Sequence, residues 1–438
     1  MALFSIVDAR RRSGQKLLNR LESRSDGILD PKVVAQTAKI VDSIRRGGDR
    51  SLLKAVRKFD GVKRSQVVDL RLRPERADRR TLPAGFEHAL ERAIVAVERY
   101  HEAQRHPSIR LEEAGIRLEE QRRPLRRVGV YVPGGRATYP SSVVMTVGPA
   151  KLAGVEEIVV ATPLAGWERS ASLRHALERL GVTEVWAMGG AHGVAALAYG
   201  TETIRRVDKI VGPGNAWVTA AKHVVSTRVG IEGLTGPSEV VIVATGSADP
   251  SLVAADLLAQ AEHDPQATTL LITDQAALAR RVRSQIKTQI RSLETAPVIR
   301  QSLHLHGGAV VVPNLETALE WVERIAPEHL QLVGEEAETL ADRVRNAGAV
   351  FVGEATPVAF GDYLAGPSHC LPTGGSARYA SALGVEDFVR RSHLVQFSAT
   401  AAERCARATA ILADVEGLPA HAEAARRRSD LAREDGTR

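Results

Sequence analysis

The feature that most limits what this chain can fold into is an alternation of short apolar runs with helix-patterned stretches, sustained from residue 127 to residue 352. Strands are expected at 127–132, 157–161, 184–188, 207–211, 239–243, 268–273, 309–312, 329–333 and 349–352. Between them, helices are expected at 143–153, 169–180, 191–199, 216–225, 249–265, 275–292, 315–325 and 336–347. Strands alternating with helices of this length make parallel βαβ units, so two similar α/β domains are expected. In open sheets of this kind, ligands sit beyond the carboxyl ends of the strands.

The flanks of this series are helical. Val34, Ala38, Val41 and Ile44 recur at helical spacing over 32–46 until Gly47-Gly48 stops the pattern, and 89–104 repeats it. From about residue 381 the chain becomes mixed, then helical. At about 100–200 residues per domain, a chain of 438 residues holds two to four. With only Cys370 and Cys405, no disulfide framework or cysteine zinc knuckle can form. The opening Met1-Ala2-Leu3-Phe4-Ser5-Ile6-Val7 meets Asp8 before any long apolar segment, and no later run approaches the ~20 residues of a membrane helix. A cytoplasmic protein without membrane contact is expected. Its net charge of +7 goes with arginine runs at 71–80, 122–127 and 426–428. Acidic residues interleave these runs and aromatics make up only 4% of the chain, so they read as solvated helix faces and not as a nucleic-acid surface.

Chemistry is suggested first within 249–265. Asp249 suits the cap of this helix, Pro250 its first turn and Pro265 its end. Val253, Leu257 and Ala261 make a buried stripe, and Asp256, Gln260 and His263 a polar stripe beside it. Such a stripe is either a rim of hydrogen-bonding side chains or the wall of a site. Groups that could meet it occur in Pro327-Glu328-His329, Gly361-Asp362-Tyr363 and Glu416-Gly417-Leu418-Pro419-Ala420-His421. His263, Asp362 and His421 are apt ligands for a divalent metal, though each alone is more often a structural residue. Glu328 and His329 could divide general acid and base work, or be a surface carboxylate beside a buried imidazole. Loops at 133–142, 189–192 and 212–215 are rich in Gly and Pro and could cradle phosphate, yet none has the G-x-G-x-x-G pattern.

Several stretches together closely resemble histidinol dehydrogenase, the zinc enzyme of histidine biosynthesis. They are VGVYVPGGRATYPSSVVM at 128–145, VDKIVGPGNAWVTAAK at 207–222, GPSEVVIVA at 236–244 and DLLAQAEHD at 256–264. APEHLQL at 326–332, GDYLAGPSHCLPTGG at 361–375 and EGLPAH at 416–421 follow in family order. The resemblance implies two incomplete Rossmann-like, parallel-sheet α/β domains with a helical N-terminal segment and a small C-terminal tail domain. The expected division is 1–26 for the N-terminal segment, 27–130 with 240–381 for the first Rossmann-like domain, 131–239 for the second, and 382–438 for a dimerisation and active-site tail.

The resemblance also implies one Zn2+ per subunit, held by Gln260, His263, Asp362 and His421, and an acid–base pair of Glu328 and His329. It implies substrate contacts at Ser238, His329, His369 and Glu416 as well as at the metal ligands, and NAD+ contacts at Tyr131, His192 and Asn215. The implied reaction is the four-electron oxidation of L-histidinol through L-histidinal to L-histidine with two NAD+. A homodimer with shared active sites is implied, in which Glu416 and His421 serve the other subunit. Position 192 is commonly Gln in the family and is His here; imidazole can still hydrogen-bond a ribose or phosphate. Glu232-Gly233-Leu234-Thr235 replaces a more usual Asp-containing stretch, with little expected consequence. A paralogous zinc dehydrogenase of another small alcohol, such as a sulfonated propanediol, is the competing reading, and Glu416 and His421 argue against it.

Overall fold

Glu239–Ala244 is buried at every position, a pattern that suits a central strand covered on both faces. In the computed structural model, which describes residues 3–74, 81–134 and 139–429, this strand lies inside a six-stranded parallel sheet. The order is Ser5–Asp8, Gly307–Val311, Thr268–Thr273, Glu239–Ala244, His329–Val333 and Ala349–Val352. Alternate residues feed two separate cores. Val240 and Ile242 pack with Val253 and Leu257 of the helix Pro250–Ala261, while Val241 and Val243 pack with Leu18, Trp321 and Val322 on the other face.

A second six-stranded sheet runs Arg71–Leu72, Glu184–Ala187, Glu157–Thr162, Arg127–Tyr131, Lys209–Val211 and Gly230–Ile231. It is parallel except for the two-residue strand Arg71–Leu72. Val128 and Val130 meet Leu90, Ile94 and Val143 on one face, and Tyr131, Val159 and Ala161 meet Val41, Ile44 and Val56 on the other. Both sheets belong to one compact unit, Met1–Gln104 with Leu125–Phe388. A second unit, Arg105–Pro124 with Val389–Arg438, holds the antiparallel strands Ile109–Glu113, Ile116–Pro124 and Val389–Phe397 and the helices Ala399–Val415 and Pro419–Arg426. Among the described residues, no helix is long and apolar enough to cross a membrane.

The sheets divide the chain differently from the expected boundaries. The segment 1–26 is not wholly helical: Ser5–Asp8 pairs with Gly307–Val311 as an edge strand of the first sheet. Of residues 27–130, expected with 240–381, Arg105–Pro124 joins the second unit, and the helix Pro31–Phe59 instead serves the second sheet, because its apolar stripe packs on the helices Gly190–Tyr199 and Ala216–Val225. Gly47-Gly48 does not end that helix but kinks it, with Gly48 at φ +44°. The tail expected at 382–438 begins its own unit at Val389 and takes Arg105–Pro124 with it. In the 122–127 arginine run, Arg122, Arg123 and Arg127 lie on strands: Arg122 pairs with Glu120, and buried Arg127 pairs with Glu157 and Glu184. Residues 75–80 of the first run lie outside the described residues. A helix at Ala296–His306 was not expected, and the helix expected at 336–347 shrinks to Glu335–Glu338 and a short 3-10 turn.

Phe4 is 1% exposed and anchors the edge strand in the first core. Phe4→Ala is expected to cost about 3–5 kcal/mol, read as a lower urea midpoint. An unchanged midpoint would show that this strand adds nothing to the sheet.

Candidate active site

The site is built on the register of two parallel strands. Val240 lies opposite His329, which sets Ser238-Glu239 alongside Glu328-His329 at the amino ends of their strands. The Glu328 Oε2 accepts from the Ser238 hydroxyl at 2.7 Å and from the Glu239 backbone N–H at 2.8 Å. The His329 Nδ1 donates to the Glu239 carbonyl at 3.0 Å and stands 3.4 Å from the Glu328 Oε2. This leaves the Nε2 of His329 and the Oε1 of Glu328 for other chemistry. Both side chains are buried, so the alternative of a surface carboxylate falls away.

Burial by itself would raise the Glu328 carboxyl, but the neighbouring imidazolium and these hydrogen bonds outweigh it and hold the group below the usual carboxylate range. Burial likewise disfavours the His329 cation. The adjoining Glu328 carboxylate outweighs it, Asp362 adds to the effect, and the imidazole rises to about 9.

Glu328 and His329 line a cavity of about 600 Å³ together with Ser238, His263, Asp362 and His369. The helix Pro250–Ala261 ends with Glu262 as its cap, so His263 stands in the turn beyond it and not on the helical stripe. Asp249 does cap the helix, accepting from the Ser251 N–H at 2.7 Å. Asp256, the first member of that stripe, accepts from Gln331 at 2.7 Å, and burial raises its carboxyl. Gln260 is buried and donates from Nε2 to the Ser238 hydroxyl. Asp362 comes from the short helix Val358–Tyr363, which packs close to the Phe351 ring: a Cβ on Gly361 would lie 2.5 Å from it. His369 donates from Nδ1 to the Asp362 carbonyl at 3.1 Å, and burial lowers its imidazole.

A second cavity, of about 920 Å³, opens at the carboxyl ends of the other sheet's strands. Tyr131, His192 and Asn215 all line it. The Tyr131 hydroxyl accepts from the Gly190 N–H at 3.0 Å, and burial pushes this phenol up to about 12. The buried ring of His192 stacks on Phe59 at 5.8 Å between centroids and meets Asp60 Oδ2 at 2.8 Å. Asp60 also accepts from the Gly189 N–H at 3.1 Å, so one carboxylate holds both His192 and the glycine turn before it. Residues 135–138 of the 133–142 loop lie outside the described residues. The two cavities share Pro133, Tyr139, Asn215, His263 and Asp264.

A family model for histidinol dehydrogenase matches residues 24–429. The chain belongs to the histidinol dehydrogenase family. It is 41% identical over 418 residues to the histidinol dehydrogenase of Prochlorococcus marinus, covering 95% of this chain and 94% of that one. It is 45% identical over 399 residues to that of Methylococcus capsulatus, covering 90% and 92%. The crystal structure of histidinol dehydrogenase from Elizabethkingia anophelis superposes with a TM-score of 0.86 at 28% identity, covering 98% of each chain.

The donor set implied for this family's zinc is tested by what one chain brings together. Among the described residues, no three His, Cys, Asp or Glu side chains form a group that could hold a metal ion. His263 and Asp362 line one cavity, and Gln260, its nitrogen committed to Ser238, keeps Oε1 as a donor. These nitrogen and oxygen donors fit a divalent ion with one position still to be filled. Glu416 and His421 stand in the second unit, at the cap of Ala399–Val415 and within Pro419–Arg426, and both are exposed. Sequence reasoning missed Asp60 and Arg24. Arg24 pairs with buried Glu239, whose Oε1 also accepts from the Gly374 N–H at 2.8 Å. Neither residue stands in a local pattern that could have revealed it, since both act across more than a hundred residues of sequence.

The Glu328–His329 pair makes a pH prediction for the metal-free protein. The folded value of His329, about 9, lies above its ordinary 6.5. The stability it contributes is therefore full below that ordinary value and lost as pH rises through about 9. An NMR titration of the His329 ring is expected to show a midpoint near 9 that falls clearly in Glu328→Gln. An unmoved midpoint would mean that Glu328 does not hold the proton there.

Proposed function

We propose that this chain carries out the zinc-dependent oxidation of L-histidinol to L-histidine through L-histidinal, with two NAD+ reduced in turn, as the last steps of histidine biosynthesis in the cytoplasm. The observation that carries this reading is the buried Glu328–His329 pair, facing a cavity that His263 and Asp362 also line. Family membership supports the substrate and the reaction class. One Zn2+ per subunit would be held by Gln260, His263, Asp362 and His421 of the partner subunit. Zinc would fix the amine and imidazole of the substrate, and NAD+ would take up the hydride.

The chain's own groups handle the protons. In its neutral form, His329 accepts the alcohol proton at Nε2, since Nδ1 is tied to the Glu239 carbonyl. Glu328, its Oε2 committed to Ser238 and Glu239, has Oε1 left to take a proton from the water that adds to the aldehyde. Ser238, His369 and the partner's Glu416 orient the substrate. Tyr131, His192 and Asn215 contact the cofactor, and His192 does so from a ring already braced by Asp60. Burial of the pair keeps bulk water from the aldehyde. A homodimer with crossed tails supplies each site with residues from both chains.

Purified protein with L-histidinol is expected to form two NADH per substrate consumed, to lose activity on chelation, and to regain it with Zn2+. Activity that survives verified metal removal would overturn the metal assignment; absence of NADH would overturn the function. His263→Ala should lose metal and activity together.

The two half-reactions separate the roles of the pair. Glu328→Gln should slow oxidation of supplied L-histidinal more than oxidation of L-histidinol, and His329→Asn should slow the alcohol step. Equal effects of each variant on both steps would refute this division.

Crossed tails make a further distinction. His421→Ala and Glu328→Gln homodimers should each be inactive, and their mixed dimers should regain about half the sites, because one site then carries both lesions. Mixed dimers shown to form without recovering activity would rule out the exchange.

A further inference from the structure

Lys222 is buried to 1% exposure on the helix Ala216–Val225. Its ammonium donates to the Glu232 Oε1 at 2.6 Å and to the Gly212 carbonyl at 2.5 Å. The same Glu232 oxygen accepts from the Gly212 N–H at 2.7 Å. Both polar backbone atoms of Gly212 are therefore held by one ion pair. Gly212 is at φ +110°, and a Cβ there would lie 2.2 Å from the Tyr131 carbonyl oxygen, so the loop crosses directly over the backbone of a nominated cofactor residue. The loop leads within three residues to Asn215, which lines both cavities. Asn215 caps the helix with Oδ1, accepting from the Trp217 and Val218 N–H groups at 3.1 and 3.2 Å, so its amide nitrogen remains for a ligand. Thr219, one turn before Lys222, donates to the Thr235 carbonyl at 2.8 Å and ties the segment carrying Glu232 to the same helix.

Stability alone does not explain this pair. A buried ion pair is often no better than well-packed apolar side chains of similar volume. Glu232 is a poor bargain on those terms, because its Oε2 is buried with no hydrogen bond among the described residues. What apolar side chains could not do is grip the N–H and the carbonyl of Gly212 at once.

We propose that Lys222 and Glu232 are a positioning pair that sets the 212–215 loop so that Asn215 meets the nicotinamide cofactor. The departure at Glu232, which promised little from the sequence, is then a working part of the cofactor site. This rests on the reading that the larger cavity takes NAD+.

The decisive variant is Lys222→Met/Glu232→Leu, in which apolar side chains replace both charges. Its melting temperature is expected to stay within a few degrees of the parent, about the range expected of such replacements. Its KM for NAD+ should rise about tenfold or more, with KM for L-histidinol within about twofold and zinc content unchanged. Glu232→Asp, which keeps the charge, should recover most of the cofactor affinity. Direct titration with NADH, read by its fluorescence, gives the same comparison without turnover. A wild-type NADH affinity in the folded double variant overturns the proposal, as does an equal rise in both KM values. If the parent binds NADH but does not oxidise L-histidinol, the reaction assignment fails while the pair can still be judged. A parent that fails to bind NADH removes both.

Discussion

One backbone residue holds the Glu328–His329 pair in place. The N–H of Glu239 faces the Glu328 carboxylate and its carbonyl faces the His329 ring, an arrangement that depends on the parallel register of Glu239–Ala244 with His329–Val333. A slip of one residue would send both side chains to the wrong faces of the sheet. The side chain of Glu239 is itself fixed by Arg24 and by the Gly374 N–H, so the N-terminal stretch and the 361–375 segment both bear on this one position. Gln260, Ser238 and Glu328 then follow as a chain of donors and acceptors that ends on the Glu328 carboxylate.

A similar solution recurs at three other buried groups. Arg127 is buried between Glu157 and Glu184, Lys222 meets Glu232 and the Gly212 carbonyl, and His192 meets Asp60. Desolvating an unpaired ion costs several kcal/mol, so each buried charge needs a geometric partner. The partners of Arg127 lie 30 and 57 residues away and that of His192 lies 132 away, whereas Glu232 is ten residues from Lys222; two of these pairs end on glycine-containing loops at the rim of a cavity. These buried polar pairs thus fix loops whose own sequences are too rich in glycine to fix themselves.

Much of the framework was legible because β-branched runs and helical stripes are local signals. Strands at 268–273, 329–333 and 349–352 and helices at 216–225 and 315–325 appear with the expected limits. The edge strand Ser5–Asp8 is too short to show a period, and Ile109–Glu113 and Ile116–Pro124 are so rich in Arg and Glu that their alternation is lost. Assigning 27–130 to the wrong sheet has the same root: periodicity says that a helix has an apolar face, not which core it meets. In the site, the adjacency of Glu328 and His329 was visible in the chain, but the grip of Glu239 on both depends on strand pairing. Asp60 and the Lys222–Glu232 pair were hidden for the same reason, since their chemistry lies in contacts and not in spacing.

Under the proposed function, the shared wall of the two cavities has a kinetic consequence. The Glu328–His329 pair stands at the amino ends of strands in one sheet and the cavity of about 920 Å³ opens at the carboxyl ends of the other, with Tyr139, Asn215 and His263 common to both cavities. A catalyst that oxidises one molecule twice must exchange a spent carrier for a fresh one while a reactive aldehyde waits. Two cavities with a common wall would let the carrier be exchanged on its own side of that wall while the aldehyde stays beside Glu328 and His329.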